Sequence, residues 1–125
     1  EVLDWAREKI SAGPVLVYAS QPAETVRAVQ DRLGRAEAGA LVEEAMAAIA
    51  RGLVASGVRR LVVAGGETSG AVVSALGVTG LRIGAQIDPG VPATVSLGDE
   101  PIALALKSGN FGGTDFFAKA LAAMP

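Results

Sequence analysis

The sequence predicts an α/β fold, a three-layer-like sandwich of helices on a mostly parallel, mixed β-sheet with a hairpin at its C-terminal edge. Three observations carry that expectation. Short runs of Val, Leu and Ile alternate along the chain with longer stretches of helical period. Aromatics make up only 4% of a chain that is 50% hydrophobic, so the core must be built from aliphatic side chains, which suits helices layered on a buried sheet. Finally, Leu61 to Gly70 (Leu-Val-Val-Ala-Gly-Gly-Glu-Thr-Ser-Gly) reads as a buried strand that breaks at a glycine pair and resumes as a helix.

Each element follows from local pattern. Val2, Leu3, Trp5, Ala6 and Ile10 share one helical face, and Gly13-Pro14 ends this first helix. Val15–Ala19 is short, apolar and β-branched, and is expected as a buried strand. Ser20-Gln21-Pro22 opens a helix with proline at its first position; Val26, Val29 and Leu33 mark its inner face, and Gly34 ends it. From Ala36 to Ser56, the residues Leu41, Val42, Ala45, Met46, Ile49, Leu53 and Val54 form a stripe at helical spacing, closed by Gly57. The stripe is read as a face packed on the sheet, with a partner surface as the alternative.

Arg60 to Ala64 is expected as a strand and Gly65 to Gly70 as a turn. Thr68 or Ser69 is expected to cap the helix that follows, and Gly77 to close it. Leu81 to Ile87 reads as another strand. Asp88-Pro89-Gly90-Val91-Pro92 is expected as a rigid, irregular loop, because its prolines oppose both helix and central strand. Ala93–Leu97 and Ile102–Leu106 read as an antiparallel hairpin across Gly98-Asp99-Glu100-Pro101. Thr114-Asp115 starts a last helix carrying Phe116, Phe117 and Leu121.

Composition narrows the function classes. A chain of 125 residues is long enough for one domain with a real core and too short for two. No apolar run approaches the ~18–20 residues of a membrane span, so a soluble, cytoplasmic protein is expected, with no membrane partner. A formal charge of −2 argues against a nucleic-acid surface. With no cysteine and no histidine, the chain has no thiolate metal site, cysteine nucleophile, Ser-His-Asp triad or histidine metal centre. Glu1 to Gly13 is charged and helical, unlike a signal peptide. A first residue other than Met leads to the expectation of a fragment of a longer protein.

Two glycine-rich loops are the candidate chemistry. Gly65 and Gly66 permit positive φ and close approach of a ligand, and Thr68 and Ser69 add hydroxyl donors. At the head of a helix, outward N–H groups and the helix dipole make an anion site, or else only a tight turn with a good cap. The spacing is neither the dinucleotide fingerprint nor a Walker loop. Gly66-x-Thr68-x-Gly70 also fits a threonine version of a hydrolase nucleophile elbow, which would need a base from outside the chain. Glu67 can help hold Mg²⁺, bond a ribose hydroxyl, or stabilise the first helical turn. In the second loop, Lys107 emerges at a strand end, followed by the donor-rich Ser108, Gly109, Asn110, Gly112 and Gly113. Lys107 is a candidate phosphate stabiliser or a solvated strand terminus. Asn110 either donates to a ligand or supports a turn, and Phe111 either lines a base pocket or anchors the loop. Asp88 is expected to brace its turn and Asp115 to cap the last helix. The catalytic base is assigned to no residue, nor is any metal ligand set.

These motifs carry a resemblance. Ala64-Gly-Gly-Glu-Thr-Ser-Gly-Ala-Val72, Ile87-Asp-Pro-Gly-Val-Pro92 and Leu104-Ala-Leu-Lys-Ser-Gly-Asn-Phe-Gly112, followed by Asp115-Phe-Phe117, resemble the C-terminal nucleotide-binding domain of the four-carbon acid sugar kinases. That bacterial family includes threonate, erythronate and 3-oxo-tetronate kinases. The resemblance runs from about Val15 to the end of the chain and is specific for the family, not for a substrate. It implies that residues 1–125 are a single nucleotide-binding domain from the C-terminal part of a two-domain kinase. It further implies ATP-dependent phosphorylation of a sugar-acid hydroxyl, with the acid sugar held by an N-terminal domain. Gly65, Gly66, Glu67 and Thr68 would contact ATP, and so would Gly109 or Asn110. Ala93 departs from the bulky aromatic of many relatives. ATP with Mg²⁺ is the expected cofactor, and assembly into a homo-oligomer is left open. The alternative reading is a non-catalytic interaction module with structural glycine loops; a nicotinamide-binding module is disfavoured by the glycine spacing.

Overall fold

A computed structural model describes residues 2–18, 23–108 and 113–124. In chain order the elements are α1 (Val2–Lys9), α2 (Ala23–Leu33), α3 (Arg35–Ala55), β1 (Arg60–Ala64), α4 (Gly66–Ala75), β2 (Leu81–Asp88), β3 (Val91–Ser96), β4 (Ala103–Lys107) and α5 (Phe116–Ala123). The strands form one mixed sheet in the order β1-β4-β3-β2. β1 runs parallel to β4, in register from Arg60↔Ala103 to Ala64↔Lys107, and the other two pairings are antiparallel. The antiparallel share follows from short connections: β2, β3 and β4 are joined by turns, whereas a parallel return needs a long crossover.

Alternation along the strands builds the two faces. Val62, Ala103 and Ala105 turn to one side, where Phe116, Ala120 and Met124 cover them together with Ile87, Val91 and Ala93. Val63 and Leu106 turn to the other, against Val72 of α4, Leu76 at its C-cap and Ala50 of α3. Helices therefore cover both faces. Phe116, only 1% exposed, is among the largest fully buried side chains. Its burial stabilises the α5 side by about 1.5–3 kcal/mol.

The expected hairpin is present, closed by the Ser96 N–H donating to Ile102 O (2.9 Å) and the Ile102 N–H donating to Ser96 Oγ (2.8 Å). It lies in the middle of the sheet, with β1 and β2 at the margins among the described residues.

Three expectations need correction. Residues 15–18 of the expected strand Val15–Ala19 are not strand, and Ala19 lies outside the described residues. A strand needs a ladder partner; Leu16 and Tyr18 instead stand 57% and 69% exposed, lining a surface hollow with Val2 and Trp5. The segment from Asp88 to Pro92 is not a loop throughout, because Asp88 ends β2 and Val91 starts β3. Pro92 is tolerated because it pairs with Gln86 between two register irregularities, so its missing N–H breaks no regular ladder. The α3 stripe is only partly inward: of its residues Leu53 is buried, beside Ala50 outside the stripe, whereas Leu41 and Val42 are exposed. The helix packs against α1, α2 and α4.

Gly57 and Gly77 end α3 and α4 in the same way. Each has positive φ, 110° and 69°. The N–H of each glycine and of the following valine returns to the last helical turn, Gly57 to Val54 O, Val58 to Leu53 O, Gly77 to Ser74 O and Val78 to Val73 O. Gly77→Ala is expected to lower stability by about 1 kcal/mol, because a side chain there is held in the left-handed region. Gly70→Ala should do the reverse and raise it by about 0.5–1 kcal/mol, since Gly70 is inside α4 and an added Cβ would meet nothing within 4 Å. Urea denaturation of both variants checks the opposite signs.

Candidate functional site

The parallel register of β1 and β4 ends both strands at one level, Ala64 beside Lys107. The Gly65 N–H extends that pairing by one bond, donating to Lys107 O at 2.8 Å. Gly65 then turns the chain straight into α4 as its N-cap, with φ 108° and ψ 129°. The expected turn over Gly65–Gly70 is thus a single glycine, and Gly66 to Gly70 already belong to the helix. Neither Thr68 nor Ser69 caps it, because no side-chain hydrogen bond is made at this end and the positive φ of Gly65 leaves no position for a hydroxyl cap. Ser69 donates its N–H to Gly65 O at 2.8 Å, the first bond of the helix. The N–H groups of Gly66, Glu67 and Thr68 precede it, at the positive end of the helix dipole.

α4 leaves β1 toward one face of the sheet, while α5, which follows β4, covers the other. Neighbouring parallel strands whose connections depart to opposite faces open a crevice at their C-terminal ends, the usual ligand position in open α/β sheets. A cavity of about 510 Å³ lies on the α4 side of this end. Gly65, Gly66, Glu67 and Thr68 form its base. Thr25, Val29 and Gln30 of α2 and Ala38, Gly39, Val42 and Glu43 of α3 form its walls. The volume is that of a small-molecule pocket.

The structure brings together only some of the residues singled out in the sequence. Gly65, Gly66, Glu67 and Thr68 share the cavity. Ser108 stands against it: a Cβ at Gly66 would lie 3.4 Å from Ser108 Oγ. Ser69 is buried on the helical face of Val72, and its hydroxyl has no hydrogen-bond partner among the described residues. Lys107 lies at the same end of the sheet, but its ammonium sits 5.9 Å from the centre of the Phe116 ring, on the α5 side. Gly109, Asn110, Phe111 and Gly112 lie outside the described residues. A nucleophile elbow at Thr68 does not fit, because Thr68 is inside α4 and, among the described residues, every positive φ belongs to a glycine.

Glu43 and the cavity walls on α2 and α3 were not singled out from the sequence. Glu43 fell outside the apolar stripe and Val42 was assigned to packing; only the fold of α2 and α3 over the head of α4 turns them to one space. Glu43 and Glu67 meet there. A hydrogen bond to Glu67 that favours its protonated form holds the Glu43 carboxyl above its ordinary value, with desolvation and the charge of Glu67 acting in the same direction.

Asp88 does not brace its own turn. It pairs with Lys119 of α5, tying the β2–β3 turn to the helix. The Lys119 ammonium holds the Asp88 carboxyl below its usual range, aided by the backbone of Gly113 and opposed by desolvation. Lys119 is raised above its usual value, chiefly by Asp88, against desolvation. Asp115 occupies the N-cap position of α5 without a side-chain cap bond.

Fold and cavity together define an α/β domain whose pocket opens at the glycine-headed start of a helix. The family model described as "nucleotide-binding C-terminal domain" matches residues 1–117, and the chain belongs to that family. The resemblance to the C-terminal domain of the four-carbon acid sugar kinases is borne out. A 3-oxo-tetronate kinase of Pseudomonas fluorescens is 69% identical over 97% of this chain, and one of Salmonella typhimurium is 41% identical over 93%. The chain spans 28% and 27% of the length of these relatives. A crystal structure of a Haemophilus influenzae protein superposes with a TM-score of 0.80 at 37% identity, covering 97% of this chain and 30% of that one. A Salmonella typhimurium LT2 structure gives 0.83 at 36% identity, covering 99% and 31%. No described helix is long and apolar enough to cross a membrane.

The Asp88–Lys119 pair has a definite pH window. Asp88 is lowered, so its contribution is present above its ordinary value of 3.8 and is lost as pH falls through its value in the folded protein. Lys119 is raised, so its contribution is present below 10.5 and is lost as pH rises through its folded value. Asp88→Asn should therefore be less stable than the parent at neutral pH, with the gap closing at both extremes. Denaturation midpoints of both proteins against pH check this.

Proposed function

We propose that this chain is the ATP-binding domain of a kinase that phosphorylates a hydroxyl of a four-carbon sugar acid. The observation that carries the proposal is the glycine N-cap at the base of a 510 Å³ cavity, at the switch point between β1 and β4. The names of the similar kinases support the reaction class. The residues present fit a nucleoside triphosphate. Gly65 and Gly66 carry no side chain to block a phosphate, the N–H groups of Gly66, Glu67 and Thr68 suit its oxygens, and Val29, Ala38, Gly39 and Val42 offer an apolar wall for a base.

ATP, when bound, supplies the phosphoryl group. The domain's part is to bind and orient: phosphoryl transfer depends mainly on positioning and on neutralising charge. The head of α4 would hold the phosphates and Ser108 would close one side. Lys107, at the same end of the sheet, would contribute positive charge, with Gly109, Asn110 and Gly112 completing the second loop. Ser69 lies in the first turn of the same helix, where its N–H is taken by Gly65 O, so it would support the turn rather than contact the phosphates. Mg²⁺ would accompany the triphosphate, with Glu67 the acid nearest the glycine turn. The acid sugar and the general base would come from an N-terminal domain of the full-length, cytoplasmic protein.

A thermal-shift titration of the full-length protein tests this reading. Mg-ATP and ADP should raise the melting temperature in proportion to log concentration above Kd, and NAD should not. Gly66→Leu should weaken ATP binding at least 10-fold with an unchanged melting temperature in the absence of ligand, because φ at Gly66 is not positive and an added Cβ meets only Ser108 Oγ. Unchanged ATP affinity in that variant would leave the glycine turns purely structural, as in the interaction-module reading.

A further inference from the structure

The cavity lining is of two kinds. On α4 are the glycine and the amide groups at the head of the helix, next to the Gly65 cap. On α2 and α3 is a surface without charge, formed by Val29, Ala38, Gly39 and Val42. Two carboxyls line this one cavity: Glu67 follows Gly66 on α4, and Glu43 follows Val42 on α3. Among the described residues neither takes part in an ion pair. Two carboxyls in one cavity offer several acceptor oxygens to a ligand.

A nucleotide has parts of matching kinds: an apolar ring, a sugar diol and an anionic chain. A carboxylate repels the phosphates but accepts two hydrogen bonds from a vicinal diol. We propose that Glu43 accepts the hydroxyls of the ribose and so makes the cavity selective for ribonucleotides over 2′-deoxyribonucleotides. The inference rests on the nucleotide reading of the cavity and adds to it a specificity-determining residue on α3, outside both glycine loops.

Calorimetric titration of the full-length protein with ATP and 2′-deoxy-ATP, both with Mg²⁺, tests it. The parent protein should bind ATP about 10-fold or more tightly than the deoxy form, as expected for a hydrogen bond to a charged group. Glu43→Ala should weaken ATP and leave 2′-deoxy-ATP nearly unchanged, bringing the two within about twofold. Glu43→Gln keeps the shape of the side chain but removes its charge, and should reduce the ratio as well. Equal binding of both nucleotides by the parent overturns the assignment of Glu43 while leaving the nucleotide site intact. An equal loss for both nucleotides in Glu43→Ala also overturns it, and points to a bridging cation or a merely structural wall. Failure of the parent to bind either nucleotide overturns this inference and the nucleotide reading together.

Discussion

The parallel pairing of β1 with β4 is the constraint on which the rest depends. Its register brings Ala64 level with Lys107, and one further bond, from the Gly65 N–H to Lys107 O, carries the ladder past the end of β1. That bond fixes where α4 begins. A slip of one residue would turn Val62 and Val63 to the wrong faces and move the glycine cap away from the second loop. The core and the site are thus held by the same ladder: Val63 and Leu106 anchor the α4 side, and Val62 with Ala105 the α5 side.

Gly65 has a narrow task within this frame. It receives the strand, adopts a φ of 108° and starts the helix in the next residue. A side chain is disfavoured there by conformation. At Gly66 the reason for glycine is different. Its backbone is ordinary and the nearest atom to an added Cβ is the Ser108 hydroxyl, so the missing side chain matters to the cavity more than to the fold. Two adjacent glycines in one turn therefore answer to two separate pressures, one conformational and one of space.

Much of the fold was legible because local pattern and global packing agree. The Arg60–Ala64 strand, the helix ending at Gly57 and the hairpin around Gly98 each carry their own start or stop signal. Val15–Ala19 misled because β-branched residues announce a strand only if an edge is there to receive it, and residues 15–18 have no ladder partner among the described residues. Pro92 misled in the opposite direction, since a proline that looks forbidding in sequence is harmless beside a bulge. The base of the candidate site was legible as a glycine turn at a strand end. Its walls were not, because Thr25, Gln30, Gly39 and Glu43 have no local pattern that sets them apart. They become neighbours only when the α2–α3 pair folds over the head of α4.

The make-up of the cavity also says how it can work. None of the residues described as lining it is a lysine or arginine, and two are acids. Attraction of an anion must come from backbone amides and the helix dipole, which act within about one turn and are fixed in direction. Lys107 is the cationic side chain identified at this end of the sheet, and it lies on the α5 side, against Phe116. A site of this kind discriminates by position more than by charge. An anion gains only when its oxygens reach the head of α4, while the carboxyls of Glu43 and Glu67 oppose one that stops short. Charge neutralisation during a transfer would then have to arrive with the ligand's own cation or from the second loop, so that the empty cavity remains a poor trap for phosphate alone. Such an arrangement suits a domain whose task is to orient a large ligand with an uncharged, hydrogen-bonding middle and a single anionic end.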